Sequence, residues 1–181
     1  EHIHQSMRKI VIASDSYKGC LSSSEVACAM SRGIAEVYPD CQIVKLAVAD
    51  GGEGTVEALV DTLGGHMEWA EVSDPLGRPV KAAYGVAGDL AIIESAAACG
   101  LTLLKREERN PLLASTKGLG ELIIAAIEKG CKRFLIGLGG SATNDGGMGM
   151  ISAEGFLEKA RGLEFIVACD VDTPYIGAVS Y

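Results

Sequence analysis

Aromatic side chains are scarce in this chain, at 5% of its 181 residues. Histidine is scarcer still. There are three, and two fall in Glu1-His2-Ile3-His4-Gln5-Ser6, which reads as an expression remnant ahead of Met7. The remaining one, His66, sits in an expected strand and reads as a half-buried sheet residue, so no serine–histidine–aspartate set can be assembled. Lysine and arginine never cluster beyond two adjacent positions, and the net charge is −8. That argues against nucleic acid as a partner and against a polybasic membrane patch. No uncharged apolar run reaches a dozen residues, far short of a membrane span. The six cysteines stand at 20, 28, 41, 99, 131 and 169, no two closer than eight positions. There is therefore no CxxC and no zinc spacing, and they read as reduced, buried fillers in a cytoplasmic protein. No G-x-x-x-x-G-K-[ST] stretch occurs, so a Walker-type nucleotide site is excluded.

What is present is ordinary globular composition, 48% hydrophobic and 22% charged, enough for one domain or two small ones. Glycine is abundant, at 23 residues. Many glycines with few rings suit a chain whose backbone approaches a ligand closely. An acidic protein that takes an anionic ligand must hold it by local devices: helix N-termini, loop amides and a few placed lysines.

Along the chain the pattern is strand, glycine loop, helix. Lys9–Ala13 reads as a buried strand, and Ser22-Ser23-Ser24-Glu25 as a capping box opening a helix to about Val37. Gln42–Ala49 is a second strand, and Val56–Leu63 a helix ended by Gly64-Gly65. His66–Val72, Val80–Val86 and Leu90–Glu94 read as strands joined by turns, a hairpin-like region. Thr116–Lys129 is a helix, Arg133–Leu138 a strand, and another helix starts near Met148. Glu164–Cys169 is a last strand. The expected fold is α/β: a Rossmann-like parallel sheet layer over 7–65 and 114–150, with 66–113 and 151–181 forming part of a second, mixed α/β domain. In a parallel sheet, loops that follow strands gather at the carboxyl edge, where ligands bind.

Four loops could carry chemistry there. In Asp15-Ser16-Tyr17-Lys18-Gly19, a lysine beside a helix start can attract phosphate or carboxylate, and Asp15 can bind a hydroxyl; the plain alternative is a solvated turn. In Asp50-Gly51-Gly52-Glu53-Gly54-Thr55, the glycines let backbone approach a ligand and the acids can orient a hydroxyl or hold Mg²⁺ through water. The alternative is a capped helix entry. Gly139-Gly140-Ser141-Ala142-Thr143-Asn144-Asp145-Gly146-Gly147 offers successive amides as an anion nest. Gly137-x-Gly139-x-x-Ala142 also fits a dinucleotide fingerprint weakly, but no acidic ribose partner follows at a strand end. Asp170 and Asp172 can bind Mg²⁺ or act as a base, or simply form a polar turn. Ser95 and Ser115-Thr116-Lys117 are secondary anion-binding candidates.

The first three of these stretches, in this order and spacing, resemble the bacterial type I glycerate kinases. The resemblance covers about Met7–Met150, the N-terminal half of such proteins, and resumes at Phe165–Asp172. It implies an ATP- and Mg²⁺-dependent kinase acting on D-glycerate, most often giving 2-phosphoglycerate, with Rossmann-like and mixed α/β domains. Under it, Lys18, Asp50 and Asp170 are the catalytic residues. Asp15, Ser16, Gly51, Gly52, Glu53, Gly54, Thr55, Gly139, Gly140, Ser141, Thr143, Asn144 and Asp145 bind substrate or nucleotide, and Asp170 and Asp172 hold the metal. The chain departs from the family in its length, about half the usual, in a short connection at Ile151–Glu164, and in its last five residues. These departures suggest ordered pieces of a longer chain, or a fragment. The partners expected are D-glycerate and a nucleotide, without nucleic acid or membrane, and with room for a homodimer. Two other readings stand beside the kinase: a non-catalytic small-anion or nucleotide-binding module, and a dinucleotide-dependent oxidoreductase.

Overall fold

A computed structural model describes residues 9–15, 17, 20–47 and 54–169. The chain divides after position 49 into two compact units. In the first, strand β1 (Lys9–Ser14) is followed by helix α1 (Ser23–Val37) and strand β2 (Gln42–Ala47). β1 and β2 pair in parallel, from Lys9 opposite Gln42 to Ser14 opposite Ala47. The expected capping box is present: the Ser22 hydroxyl accepts from the Glu25 amide at 3.2 Å, and the Glu25 carboxylate accepts from the Ser22 amide at 2.8 Å. Among the described residues of this unit, Ile12, Val26 and Ala27 are the buried apolar ones.

The second unit opens with helix α2 (Thr55–Leu63), ended by Gly64 in the left-handed conformation at φ 65°. Strands β3 (His66–Ser73), β4 (Pro79–Ala87) and β5 (Leu90–Glu94) follow, then short helix α3 (Ala96–Cys99) and helix α4 (Lys117–Glu128). Strand β6 (Arg133–Gly137), short helices α5 (Met148–Ser152) and α6 (Phe156–Lys159), and strand β7 (Glu164–Ala168) complete it. The five strands form one sheet in the order β3-β4-β5-β6-β7. β4 is antiparallel to both β3 and β5, whereas β5-β6 and β6-β7 are parallel.

The α/β class is as expected, but the division of the chain is not. By sequence alone, 66–113 and 114–150 fall in different domains. In the structure β5 hydrogen-bonds to β6 from Leu90 opposite Arg133 to Glu94 opposite Gly137, so both stretches share one sheet. β5 is antiparallel to one neighbour and parallel to the other, a choice that its own pattern cannot express.

Both faces of the sheet are covered. Ala91, Ile93, Phe134 and Ile136 point to one side, against Leu119, Leu122, Ile123 and Ala126 of α4. Ile92, with Leu90 and Leu135, points to the other side, against Val56 and Val60 of α2. Central strands buried on both faces read as continuous apolar runs, as Leu90–Ile93 does. Gly85 on β4 lets α2 come close, because a β-carbon there would overlap Val60.

The β3–β4 turn is held by Asp74, which is buried and accepts from the amides of Leu76 and Arg78 at 2.8 and 2.9 Å and from Arg78 Nε at 2.6 Å. His66 is exposed, with its side chain 3.4 Å from Glu68, and not half-buried. Cys99 and Cys131 are buried fillers as expected, but Cys20, Cys28 and Cys169 are exposed. Among the described residues no helix is long and apolar enough to cross a membrane.

Candidate functional site

The parallel register sets Glu94, Gly137 and Ala168 side by side as the last paired residues of β5, β6 and β7. The chain leaves the sheet at this carboxyl edge after Glu94 and after Gly137, and β7 ends there at Ala168. α2 begins here too: the Val56 amide donates to Glu94 Oε1 at 3.1 Å. The last residues of the second glycine loop, Gly54 and Thr55, are thereby brought to the edge from which the third loop departs.

Glu94 belongs to this site although no motif marks it beyond a charge closing an apolar strand. Helix α2 has no side-chain cap of its own, since Gly54 fills that position at φ 89°. The Glu94 carboxylate takes the capping role from a distant strand. Burial pushes its pKa above the ordinary carboxylate value. The Val56 amide opposes this, the charge of Glu57 adds to it, and the amides of Thr55 and Gly54 oppose it further.

The third glycine loop is laid along the 99–101 segment. Leu101 N–H donates to the Gly140 carbonyl at 3.0 Å, and Ala142 N–H donates to the Cys99 carbonyl at 2.7 Å. Gly140 takes φ 74°, a conformation that glycine adopts without strain. Ser141 and Thr143 then form a hydroxyl pair at 2.8 Å, and the Thr143 amide donates to Ser141 Oγ at 3.2 Å. Cys99, which anchors the loop by its carbonyl, is wholly buried, and burial pushes its thiol up to about 11.

Asp145 closes the loop inward. Its carboxylate accepts from Thr116 N and Oγ1, both at 2.8 Å, and from the amides of Gly147 and Gly149 at 3.1 and 3.0 Å. Thr116 Oγ1 in turn accepts from the Met150 amide at 2.9 Å. Burial acts to raise the Asp145 pKa, but the hydrogen bonds from Thr116, Gly149 and Gly147 outweigh it and hold the carboxyl below its ordinary value. The amides of Ala142, Thr143, Gly147 and Gly149 are thus already occupied within the protein. The dinucleotide fingerprint finds no matching structure here. After Ala142 no helix starts until Met148, and that helix has only five residues.

Of the other expected residues, Asp15 follows β1 in the first unit and is exposed. Ser16, Lys18, Asp50, Gly51, Gly52, Glu53, Asp170 and Asp172 lie outside the described residues. The structure therefore brings together Gly54, Thr55, Gly139, Gly140, Ser141, Thr143, Asn144 and Asp145, and adds Glu94 and Thr116. Among the described residues no three histidine, cysteine or carboxylate side chains gather as a metal-binding group.

Comparison with known proteins finds clear relatives. The profile of the glycerate kinase family matches residues 10–160. The chain is 54% identical over 149 residues to the glycerate 2-kinase of Escherichia coli (strain K12), covering 81% of this chain and 39% of that protein. It is 45% identical over 199 residues to the glycerate kinase of Bacillus subtilis (strain 168), covering 93% of this chain and 52% of that one. A crystal structure described as a glycerate kinase 2 from Salmonella typhimurium LT2 superposes with a TM-score of 0.75 at 50% identity, over 81% of this chain and 40% of the other. The chain spans about half the length of these relatives, or less.

Proposed function

This chain belongs to the glycerate kinase family, and from that premise we propose that it serves the ATP- and Mg²⁺-dependent phosphorylation of D-glycerate to 2-phosphoglycerate, in the cytoplasm. The observation that carries the proposal is the single carboxyl edge at which Glu94, Gly137 and Ala168 stand in register and to which Glu94 ties the start of α2. In α/β sheets that edge is where ligands bind.

Phosphoryl transfer needs positioning and charge neutralisation more than a special nucleophile. ATP supplies the γ-phosphoryl group, and Mg²⁺ neutralises charge on its phosphates when bound. In this reading Asp50 orients the glycerate hydroxyl and accepts its proton as the new O–P bond forms and ADP leaves. Lys18 pairs with a phosphate or with the glycerate carboxylate. The 139–141 stretch cradles the second anionic group, because the amides further along the loop are occupied by Ser141 and Asp145. Asp145 and Thr116 keep that stretch in shape. Asp170 and Asp172, just beyond β7, are the carboxylates suited to Mg²⁺.

The test is ADP release coupled to D-glycerate, ATP and Mg²⁺. Turnover that depends on glycerate and disappears in Asp50→Asn is the expected result. The runner-up is a small-anion or nucleotide-binding module without turnover, built on the same loops. Saturable binding of ATP or glycerate without ADP release would put that reading first.

A further inference from the structure

The third glycine loop spends many of its amides inside the protein, those of Ala142, Thr143, Gly147 and Gly149 among them. The amides of Gly139 and Gly140 have no acceptor among the described residues. Gly140 is exposed and Gly139 half-buried, so a ligand can reach both. Beside them, Ser141 Oγ and Thr143 Oγ1 stand 2.8 Å apart. Whichever hydroxyl donates to the other, the acceptor keeps its own proton, so the pair always has one O–H to give. This end of the loop therefore offers two amides and one hydroxyl. No lysine or arginine stands between Gly139 and Gly147. The loop instead carries a negative charge of its own. Asp145 is held ionised by the donors of Thr116, Gly147 and Gly149, and no cation among the described residues pairs with it.

We propose that the Gly139 and Gly140 amides, with the hydroxyl pair of Ser141 and Thr143, bind the carboxylate of the acceptor acid and not a phosphate of the nucleotide. The inference rests on the kinase reading and assigns one of its two anions to this loop. A carboxylate spreads a single charge over two oxygens, and neutral N–H and O–H donors satisfy it. A triphosphate carries several charges and needs Mg²⁺, lysine or arginine to offset them. Within this loop it would meet no cation and would face Asp145. The Asp145 charge reaches the loop's own anchor: after burial, and against the Leu119 amide, it helps push up the thiol of Cys99, whose carbonyl takes the Ala142 amide. The ligand class is thus a small hydroxy acid recognised by its carboxylate.

The experiment follows the amide NMR shifts of Gly139 and Gly140 in the full chain. The probes are D-glycerate, glycerol, which lacks the carboxylate, and ATP with Mg²⁺. Expected are saturable shifts with D-glycerate and none with glycerol or with ATP and Mg²⁺ alone. The double variant Ser141→Ala/Thr143→Val removes both hydroxyls and should weaken D-glycerate binding by about tenfold while ATP affinity stays within about twofold. Either single variant leaves one O–H to donate and should cost less, and both remain informative if the double variant fails to fold. Shifts that follow ATP, shifts of equal size with glycerol, or no shift with D-glycerate overturn the proposal. So does D-glycerate affinity unchanged by the loss of both hydroxyls. If the unaltered protein shows no glycerate-dependent ADP release, the kinase reading fails instead, and the titration still decides whether a carboxylate binds at Gly139 and Gly140.

Discussion

Asp145 and Thr116 grip each other at the start of α4: one carboxylate oxygen accepts from both the amide and the hydroxyl of Thr116 at 2.8 Å. The hydroxyl passes the connection on to the Met150 amide. The third glycine loop is thus fastened at both ends, to β6 by the chain and to α4 by this pair.

Removing the hydroxyl should loosen that fastening. Thr116→Val leaves Asp145 with fewer donors and the Met150 amide without its acceptor, at a cost of about 1–3 kcal/mol. Thr116→Ser should restore most of it. Chemical denaturation of the three proteins measures the difference, and equal midpoints would contradict the clamp.

Acid should reveal the same pair. Burial alone would raise the Asp145 pKa, but its hydrogen bonds hold it below the ordinary 3.8. The unfolded chain therefore binds that proton more readily than the folded one. This part of the stability is present above the ordinary value and is lost as pH falls through the folded pKa. The Tm gap between the parent protein and Asp145→Asn should accordingly narrow as pH is lowered from neutral to about 2. Asp74 is also held low, by its bonds to Arg78 and Leu76, and is left intact in both proteins.

Two glycines in helices should respond oppositely to alanine. At Gly118 a β-carbon would overlap the Ser73 carbonyl, so Gly118→Ala should cost about 1–3 kcal/mol by overpacking. At Gly33 in α1 nothing lies within 4 Å, and Gly33→Ala should stabilise that helix by about 0.5–1 kcal/mol. Thermal melts of both variants decide the signs.

Thiol chemistry should separate the cysteines. Cys99 is wholly buried with its thiol pushed up to about 11 by burial, and Cys131 is buried and shifted the same way. Cys20 and Cys28 are exposed. Iodoacetamide at mildly alkaline pH, followed by peptide mass mapping, should label Cys20 and Cys28 and spare Cys99 until the protein unfolds. Early labelling of Cys99 would count against the packing of α3.

Much of this was legible in the residues. The ends of α1 and α2 follow from Ser22, Glu25 and Gly64, whose effects act within one helical turn. The strands β3 to β7 follow from apolar runs bounded by turn residues, and Asp74-Pro75-Leu76-Gly77 bends the chain as its side chains dictate. The glycine loops stand out as candidates to face a ligand because glycine is costly where nothing requires it.

Local chemistry determines where elements begin and end, and by itself the sequence determined that much, together with the family. It could not determine that the 66–94 strands and the β6–β7 strands share one sheet, since pairing direction is a choice between distant partners. Nor could it show Glu94 capping α2 across 38 residues, or Asp145 bound to Thr116 across 29. Those contacts exist only once the sheet has brought the loops to one edge. A carboxylate read alone is equally suited to water, a ligand or an amide, and the tertiary structure decides which donor it meets.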